Sequence, residues 1–255
     1  NPYPFDDANA VNRPVLPPET VSAMAVGNAA VMRAILAKLN ACADTRGAGC
    51  PFVALDGYVG TDWPHLLGLL RNALAAEKIA LTVIDIAACY KRSEELETML
   101  SGTLPTDREI DPVLLFGKIF HGDIGDLFDA DRLERQKNRL QEERAAKPAG
   151  VREVVCVYGC GAACERLLPL YDVILYCDLT PQQVTLRIRA GRVLPLGDRG
   201  ERTLGYIFRR LYYFDYEIAM KHRDGLILSG AVTFYIDANR PDTLKLLPCD
   251  AFTRI

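Results

Sequence analysis

The feature that most constrains this fold is a short apolar run that stops at an aspartate and a glycine. Residues 52–55 are apolar, Asp56-Gly57 follows, a second glycine stands at Gly60, and leucines at helical spacing begin after Pro64. Short apolar runs bounded by glycine are typical of buried strands, whereas the leucine spacing indicates an amphipathic helix. The segment therefore predicts a strand, a tight loop and a helix in succession.

A glycine loop between a strand and a helix can direct backbone N–H groups and the positive end of the helix at a phosphate. The complete phosphate-binding loop reads G-x-x-x-x-G-K-[ST], but here Thr61 and Asp62 follow Gly60. An ordinary turn would use the same glycines, and Asp62 could equally cap the helix or accept a sugar hydroxyl. The predicted nucleotide-binding residues are Gly57, Tyr58, Val59, Gly60, Thr61, Asp62 and Trp63.

Four further apolar runs alternate with helical patterns along the chain. The runs cover residues 80–86, 154–158, 173–178 and 232–237, and helical patterns cover 65–77, 91–100, 131–147 and a segment beginning at Pro181. This alternation predicts an α/β fold with a parallel sheet covered by helices on both faces. We expect an N-terminal extension over 1–50, with one helix over 21–39 capped by Thr20, a main domain over 51–240, and a linker or tail over 241–255.

The composition excludes several classes of partner. The 255 residues carry a net charge of -3, so no basic surface points to nucleic acid or an anionic membrane. No apolar run approaches the roughly 20 residues that span a bilayer, and the first residues lack the pattern of a secretion signal. The eight cysteines form no C-x-x-C pair, which favours reduced thiols. We therefore expect a cytoplasmic protein.

Polar residues end the predicted strands, where ligands bind in open parallel sheets. Asp85 ends the second run, and its carboxylate is either a base that accepts the proton of an attacking hydroxyl or a cap for the next helix. Tyr158 and Gly159 end the third run and are predicted to bind substrate. Asp178 ends the fourth run.

Basic residues cluster in two later segments. Arginines surround residues 191–200, a segment with glycines and a proline that we expect to act as a lid, and Arg187, Arg192 and Arg199 are predicted to neutralise charge on a phosphoryl group. A solvated helix face is the alternative explanation of such a charge run. Lys118 and His121 lie where a substrate-binding insertion is expected, although a single histidine is more often structural.

These segments resemble the uridine kinase-like branch of P-loop kinases. The resemblance rests on the glycine loop at 52–60, Asp85 followed by Tyr90 and Lys91, the pattern D-x-x-[IL]-[FY]-x-D at 172–178, and the paired arginines of 186–189. A closer resemblance is to the kinase-like region ahead of some class I phosphomannose isomerases, carried by residues 56–63, 157–162, 175–180 and 210–222. Residues 235–252 resemble the linker that follows it.

The resemblance implies a P-loop-kinase-like fold with a degenerate P-loop. The leading hypothesis is an ATP- and Mg²⁺-dependent phosphotransferase of carbohydrate metabolism that acts on a hydroxyl of a small molecule, with a sugar as acceptor. Asp85 would be its base, and Asp62 and Asp178 would hold Mg²⁺. The alternative is a catalytically inactive module that binds a nucleotide or sugar phosphate and regulates a fused or partner sugar-phosphate isomerase. A homo-oligomer is also expected.

Overall fold

The computed structural model describes residues 16–45, 50–104, 117–147 and 151–253, and these residues form a mixed α/β fold. Their seven strands are β1 (Ala25–Val26), β2 (Phe52–Gly57), β3 (Ala80–Asp85), β4 (Glu153–Tyr158), β5 (Val173–Asp178), β6 (Phe234–Asp237) and β7 (Lys245–Pro248). The strands form one sheet in the order β1-β7-β6-β5-β2-β4-β3.

The sheet is mixed, which corrects the prediction of a parallel sheet. Strands β3, β4, β2, β5 and β6 run parallel to one another. Strand β7 pairs antiparallel with β6, and β1 pairs antiparallel with β7. The residues 241–255, expected to be a linker or tail, thus contribute a strand to the sheet. No periodic signal in the sequence marks this short edge pair.

Helices cover the sheet. They are α1 (Pro18–Ala23), α2 (Asn28–Thr45), α3 (Trp63–Ala76), α4 (Ser93–Leu100), α5 (Ala130–Ala146), α6 (Pro181–Arg189), α7 (Leu204–Arg210), α8 (Tyr216–Leu228) and α9 (Cys249–Phe252). A π-helical turn, Leu211–Asp215, joins α7 to α8, and 3₁₀ turns lie at Ile86–Cys89, Ile124–Leu127 and Leu168–Leu170. In the described part of the chain, none of these helices has the length and apolar character needed to cross a bilayer.

The N-terminal segment differs from the single helix predicted over 21–39. Thr20 lies inside α1 and does not cap it, and the chain then passes through β1 to Gly27, whose φ of +90° suits glycine. Asn28 begins α2, and its side-chain oxygen accepts a hydrogen bond from the amide of Leu244. The helix is interrupted because β1 pairs with β7, a contact with residues far along the chain.

The central strands lie in the core. All six residues of β2 and all six of β5 are buried, whereas the edge strand β3 is partly exposed. Cys156 and Cys177 have no exposed surface, and burial raises the pKa of the Cys156 thiol to about 12. This burial explains why β2 and β5 read as largely continuous apolar runs in the sequence.

The connections leave β2 and β5 in opposite directions. From β2 the chain passes through α3 to β3 on one side of the sheet, and from β5 it passes through α6, α7 and α8 to β6 on the other side. Since β2 and β5 are neighbours, their carboxyl ends flank a topological switch point. Ligands of open α/β sheets bind at such points, so this edge is where the predicted site residues are expected to meet.

Candidate ligand-binding site

The first glycine of the loop after β2 is required by the close approach of β5. A Cβ atom added at Gly57 would lie 2.6 Å from the carbonyl oxygen of Cys177, and the amide of Tyr58 donates to that same oxygen at 2.8 Å. Gly60 has a φ of +84°, which disfavours any residue with a side chain. Both glycines therefore have a structural reason that holds with or without a phosphate.

The amino end of α3 is already satisfied by protein groups. Trp63 donates its amide hydrogen to the carbonyl oxygen of Thr61, Pro64 has no amide hydrogen, and His65 donates to the Asp62 carboxylate at 3.1 Å. Asp62 is thus the N-cap of α3, which was one of the roles proposed for it from sequence. A carboxylate at this helix end occupies the position that an anion would take.

Three amides of the loop remain available. The N–H groups of Val59, Gly60 and Asp62 have no hydrogen-bond acceptor among the residues that the structure describes. The hydroxyl of Thr61 donates to the carbonyl oxygen of Tyr58 at 2.7 Å. The loop therefore offers backbone donors to an anion, although the helix end beside it does not.

A crevice of about 460 Å³ lies at the switch point, and we call it the switch-point crevice. Its lining residues come from the loop after β2, from α6 and the segment after it, and from the turn after β6: Gly60, Thr61, Asp62, Trp63, Pro64, Gln183, Leu186, Arg187, Ala190, Arg192, Asn239 and Pro241. The structure thus brings four of the predicted nucleotide-binding residues together with two of the predicted arginines.

Arg187 joins two walls of the switch-point crevice. Its guanidinium donates to the carbonyl oxygen of Gly60 at 2.7 Å and to that of Ala238 at 3.0 Å. Partial burial lowers its pKa, and the nearby Asp62 opposes this effect while Arg192 adds to it. An arginine remains charged under these conditions, so the crevice carries two positive side chains and one carboxylate.

The segment after α6, expected to be a lid, is held to the body of the protein. Asp215 accepts a hydrogen bond from the amide of Leu196 at 3.0 Å, and Arg210 donates to the carbonyl oxygen of the same residue at 2.9 Å. Arg210 and Asp215 are buried and form an ion pair at 3.2 Å. Arg199, predicted to neutralise charge, is exposed on this segment and lies outside the crevice lining.

Asp85, Tyr158 and Trp63 meet at the neighbouring part of the same edge. Asp85 and Tyr158 are register partners in β3 and β4, and burial together with the Asp85 charge raises the pKa of the Tyr158 hydroxyl. The rings of Trp63 and Tyr158 lie 6.2 Å apart. One Asp85 oxygen accepts from the amide of Ala87 at 2.8 Å, so it caps the following 3₁₀ turn, and the Asp85 side chain also interacts with the Tyr158 hydroxyl.

The other predicted substrate-binding residues are distributed differently. Gly159 follows β4 with a φ of +122°, and a Cβ there would lie 2.7 Å from the Ile86 side chain. Lys118 and His121 lie on the segment that packs against the π-helical turn, where Phe120 contacts Phe214 at 4.6 Å between ring centres. Neither Lys118 nor His121 lines the switch-point crevice.

The two predicted magnesium ligands are each engaged by protein groups. Asp178 accepts from the Tyr235 hydroxyl at 2.5 Å, from Arg223 at 3.4 Å and from the amide of Leu179 at 2.9 Å, whereas Asp62 caps α3. Among the described residues, no three His, Cys, Asp or Glu side chains lie close enough to hold a metal ion. The residues present do not fit a magnesium ion held by the protein.

A buried aspartate–histidine pair was not predicted from the sequence. Asp56, the last residue but one of β2, has no exposed surface, and one of its oxygens lies 2.7 Å from Nε2 of His222 on α8. The histidine lines a cavity of about 730 Å³ between α8, the Ile124–Leu127 turn and the segment after β4, which we call the dyad cavity. The only sequence signal was an aspartate at a strand end, because its partner stands 166 residues later.

Comparison with known proteins adds one family and several structural neighbours. A family model described as a domain of unknown function (DUF8485) matches residues 29–255. None of the curated proteins matches the chain.

Three solved structures share part of the arrangement. A provisionally assigned fructose transport system kinase from Silicibacter sp. TM1040 has a TM-score of 0.48 and 18% identity over 77% of this chain and 94% of its own. A D-glycerate 3-kinase from Cryptococcus neoformans var. grubii has a TM-score of 0.44 and 13% identity over 75% of this chain and 87% of its own. A provisionally assigned uridine kinase from Bacillus stearothermophilus has a TM-score of 0.32 and 13% identity over 60% of this chain and 86% of its own. At these TM-scores the likenesses carry no argument about function.

Proposed function

The chain belongs to the DUF8485 family of unknown function, and we propose that its switch-point crevice binds a phosphorylated small molecule, such as a nucleotide, without transferring the phosphoryl group. This is the inactive kinase-like module that the sequence left as its alternative hypothesis. The observation that carries the proposal is the pair Arg187 and Arg192 lining a crevice at the switch point of the sheet. Anionic ligands are favoured there by charge and by position.

The donors of the crevice suit a phosphate ester. Arg187 uses two of its N–H groups on backbone oxygens, and since a guanidinium has five, others remain for a ligand. The amides of Gly60 and Asp62, both lining residues, add neutral donors, which are common in phosphate sites. The volume of about 460 Å³ lies in the range of pockets for small ligands.

The absence of transfer chemistry in this proposal rests on two carboxylates that are already engaged and on one missing cation. Asp62 caps α3, Asp178 is paired with Arg223 and Tyr235, and no lysine follows Gly60. Phosphoryl transfer depends on positioned cations and a metal ion beside the phosphates. We therefore place the partner function, regulation of a fused or associated sugar-phosphate isomerase, above catalysis by this chain alone.

Phosphoryl transfer to a sugar hydroxyl, with ATP and Mg²⁺, is the second candidate function. The specific observation in its favour is that Asp85 lies together with Tyr158 and Trp63 at the same edge as the crevice. In this alternative Asp85 is the base for the acceptor hydroxyl. The nucleotide would have to supply most of the magnesium ligands, as phosphates do in many kinases.

Calorimetric titration with ADP, ATP and GTP, with and without Mg²⁺, tests the first proposal. We expect binding by the wild type and by Arg189→Gln, and binding at least about tenfold weaker in Arg187→Gln, the loss expected for a charged hydrogen-bond donor. Arg189 is the matched control because it is an exposed arginine on the same helix, outside the crevice. No binding of any nucleotide, or equal losses in both variants, would contradict the proposal.

A turnover assay separates the two candidates. The same protein is incubated with labelled ATP, Mg²⁺ and mannose, fructose or a nucleoside, and the products are separated by chromatography. Binding without a phosphorylated product supports the binding module. A product that disappears in Asp85→Asn, with nucleotide affinity unchanged, establishes the phosphotransferase instead.

A further inference from the structure

Asp56 is held by four donors inside the protein. One oxygen accepts from the amides of Gly57 at 2.7 Å and Gly161 at 2.9 Å. The other accepts from the amide of Ala163 at 2.7 Å and lies 2.7 Å from Nε2 of His222. Because amides only donate hydrogen bonds, both carboxylate oxygens act as acceptors here.

This network determines which histidine nitrogen carries the hydrogen. Nε2 of His222 faces an oxygen that accepts, so Nε2 is the donor, and in the neutral ring Nδ1 is left as an acceptor. Nδ1 has no hydrogen-bond partner among the described residues and is not one of their fully buried unpaired atoms. The side chain of His222 is only 6% exposed and lines the dyad cavity, from which we infer that Nδ1 faces that cavity.

The rest of the cavity combines apolar walls with charges of both signs. The apolar side is formed by Ile124, Phe128, Leu133, Leu168 and Leu226, and the rim carries Asp123, Asp126, Glu165, Arg166 and Lys221. Lys221 is paired with Asp123 at 2.7 Å, and Asp126 accepts from the amide of Asp123. Hydrogen-bond acceptors therefore outnumber free cations, which disfavours an anionic ligand.

We propose that the dyad cavity binds a neutral polyol, such as a monosaccharide or a cyclic polyol, with Nδ1 of His222 accepting a hydrogen bond from one hydroxyl. Hydroxyl groups supply the donors that the histidine and the rim carboxylates require, and the apolar walls suit the C–H groups of the ligand. The volume of about 730 Å³ accommodates such a molecule. No residue lines both this cavity and the switch-point crevice.

Labelling with diethyl pyrocarbonate, which acylates an unprotonated imidazole nitrogen, tests the site directly. The chain has three histidines, and peptide mass spectrometry reports each of them separately. We expect His222 to react in the free protein. When D-mannose, D-ribose or myo-inositol is present at up to about 0.1 M, its reaction should be at least about tenfold slower. His65 and His121, which do not line the cavity, should keep their rates.

Two results would overturn the proposal. One is a folded, ligand-free protein in which His222 does not react, since Nδ1 would then be inaccessible. The other is a His222 rate that none of the three polyols changes. Protection in Arg187→Gln equal to that in the wild type is expected, because the polyol site does not depend on the crevice. This variant keeps a failure of the crevice proposal distinguishable from a failure here.

Rim variants keep the test independent of the buried pair. Glu165→Gln should weaken binding of the protecting polyol about tenfold, the loss of one charged hydrogen bond. Glu142→Gln, another exposed carboxylate outside the cavity, should bind as the wild type does. Equal affinity in the wild type and both variants, measured by calorimetry, would contradict the proposed role of the rim.

Discussion

The switch-point crevice and the dyad cavity both lie next to the end of β2, yet they use polar groups in different ways. In the crevice the carboxylate of Asp62 and the guanidinium of Arg187 bind backbone groups and shape the walls. In the dyad cavity the buried Asp56 orients His222 and leaves one ring nitrogen accessible. The comparison shows that an aspartate at a strand end need not meet a ligand itself to define a site.

Replacing Asp56 by alanine should have the largest effect on stability. The change leaves three buried amides and the ring of His222 without their acceptor. We expect the free energy of unfolding to fall by about 3–5 kcal/mol, the usual cost of removing one partner from a buried charged network. Urea unfolding measures this loss. A change below about 1 kcal/mol would mean that the network is not formed.

His222→Phe sharpens the same comparison because it removes only one of the four donors. The three amides still bind Asp56, so the expected loss is about 1–3 kcal/mol, well below that of Asp56→Ala. Equal losses in the two variants would indicate that the histidine, not the amide cluster, holds the carboxylate. The far-ultraviolet circular dichroism spectrum of His222→Phe should match that of the wild type.

The pair Arg210–Asp215 predicts a dependence of stability on pH in the segment beside the crevice. Burial raises the pKa of Asp215 to about 6, although Arg210 opposes the rise. Between about pH 4 and 6 the native state therefore keeps a proton that the unfolded chain has lost, and the contribution of this group to stability falls as pH rises.

The corresponding measurement compares the wild type with Asp215→Asn. The free energy of unfolding of the wild type, relative to the variant, should fall by about 3 kcal/mol from about pH 4 to 6, at about 1.4 kcal/mol for each pKa unit. Above about pH 7 the difference should be constant. A difference that increases with pH over this range would show that Arg210 keeps Asp215 ionised.

Arg187→Gln tests whether the crevice is shaped by its arginine. The variant loses bonds to the carbonyl oxygens of Gly60 and Ala238, and the side chain is partly exposed, so a loss of about 1–2 kcal/mol is expected. Arg189→Gln on the same helix should change the free energy of unfolding by less than about 0.5 kcal/mol. Denaturant titration of both variants gives the comparison.

Local sequence patterns were sufficient for the elements around β2 and insufficient for the contacts between them. The apolar run, the two glycines and the leucine spacing predict β2, its loop and α3, because each signal lies within the element that it defines. The antiparallel pairing of β7 and β1 could not be predicted in this way, because both strands are short and the pairing joins Ala25 to Leu246.

The same contrast between local signals and distant contacts applies to the predicted site residues. Asp62 was given several roles from its position, and the structure shows the cap because the amide of His65, three residues away, donates to it. The partners of Asp178 are Arg223 and Tyr235, which lie on later elements that no spacing connects to it. The pair of Asp56 and His222 could not be predicted from the sequence for the same reason, because His222 lies on α8, 166 residues later in the chain.

Asp62→Ala should have the smallest effect on stability and an opposite effect on binding. Loss of the N-cap of α3 costs about 1 kcal/mol, far less than Asp56→Ala, although the two carboxylates are six residues apart. Removing a negative charge from the lining of the crevice should raise its affinity for ADP a few-fold, because the charge near the helix end no longer repels the phosphates. Calorimetry at low salt measures this gain, and Asp131→Asn, an acidic residue in the first turn of α5, is the control. If Asp62→Ala binds ADP more weakly than the wild type, the Asp62 carboxylate contacts the ligand directly, unlike the buried Asp56 beside the dyad cavity.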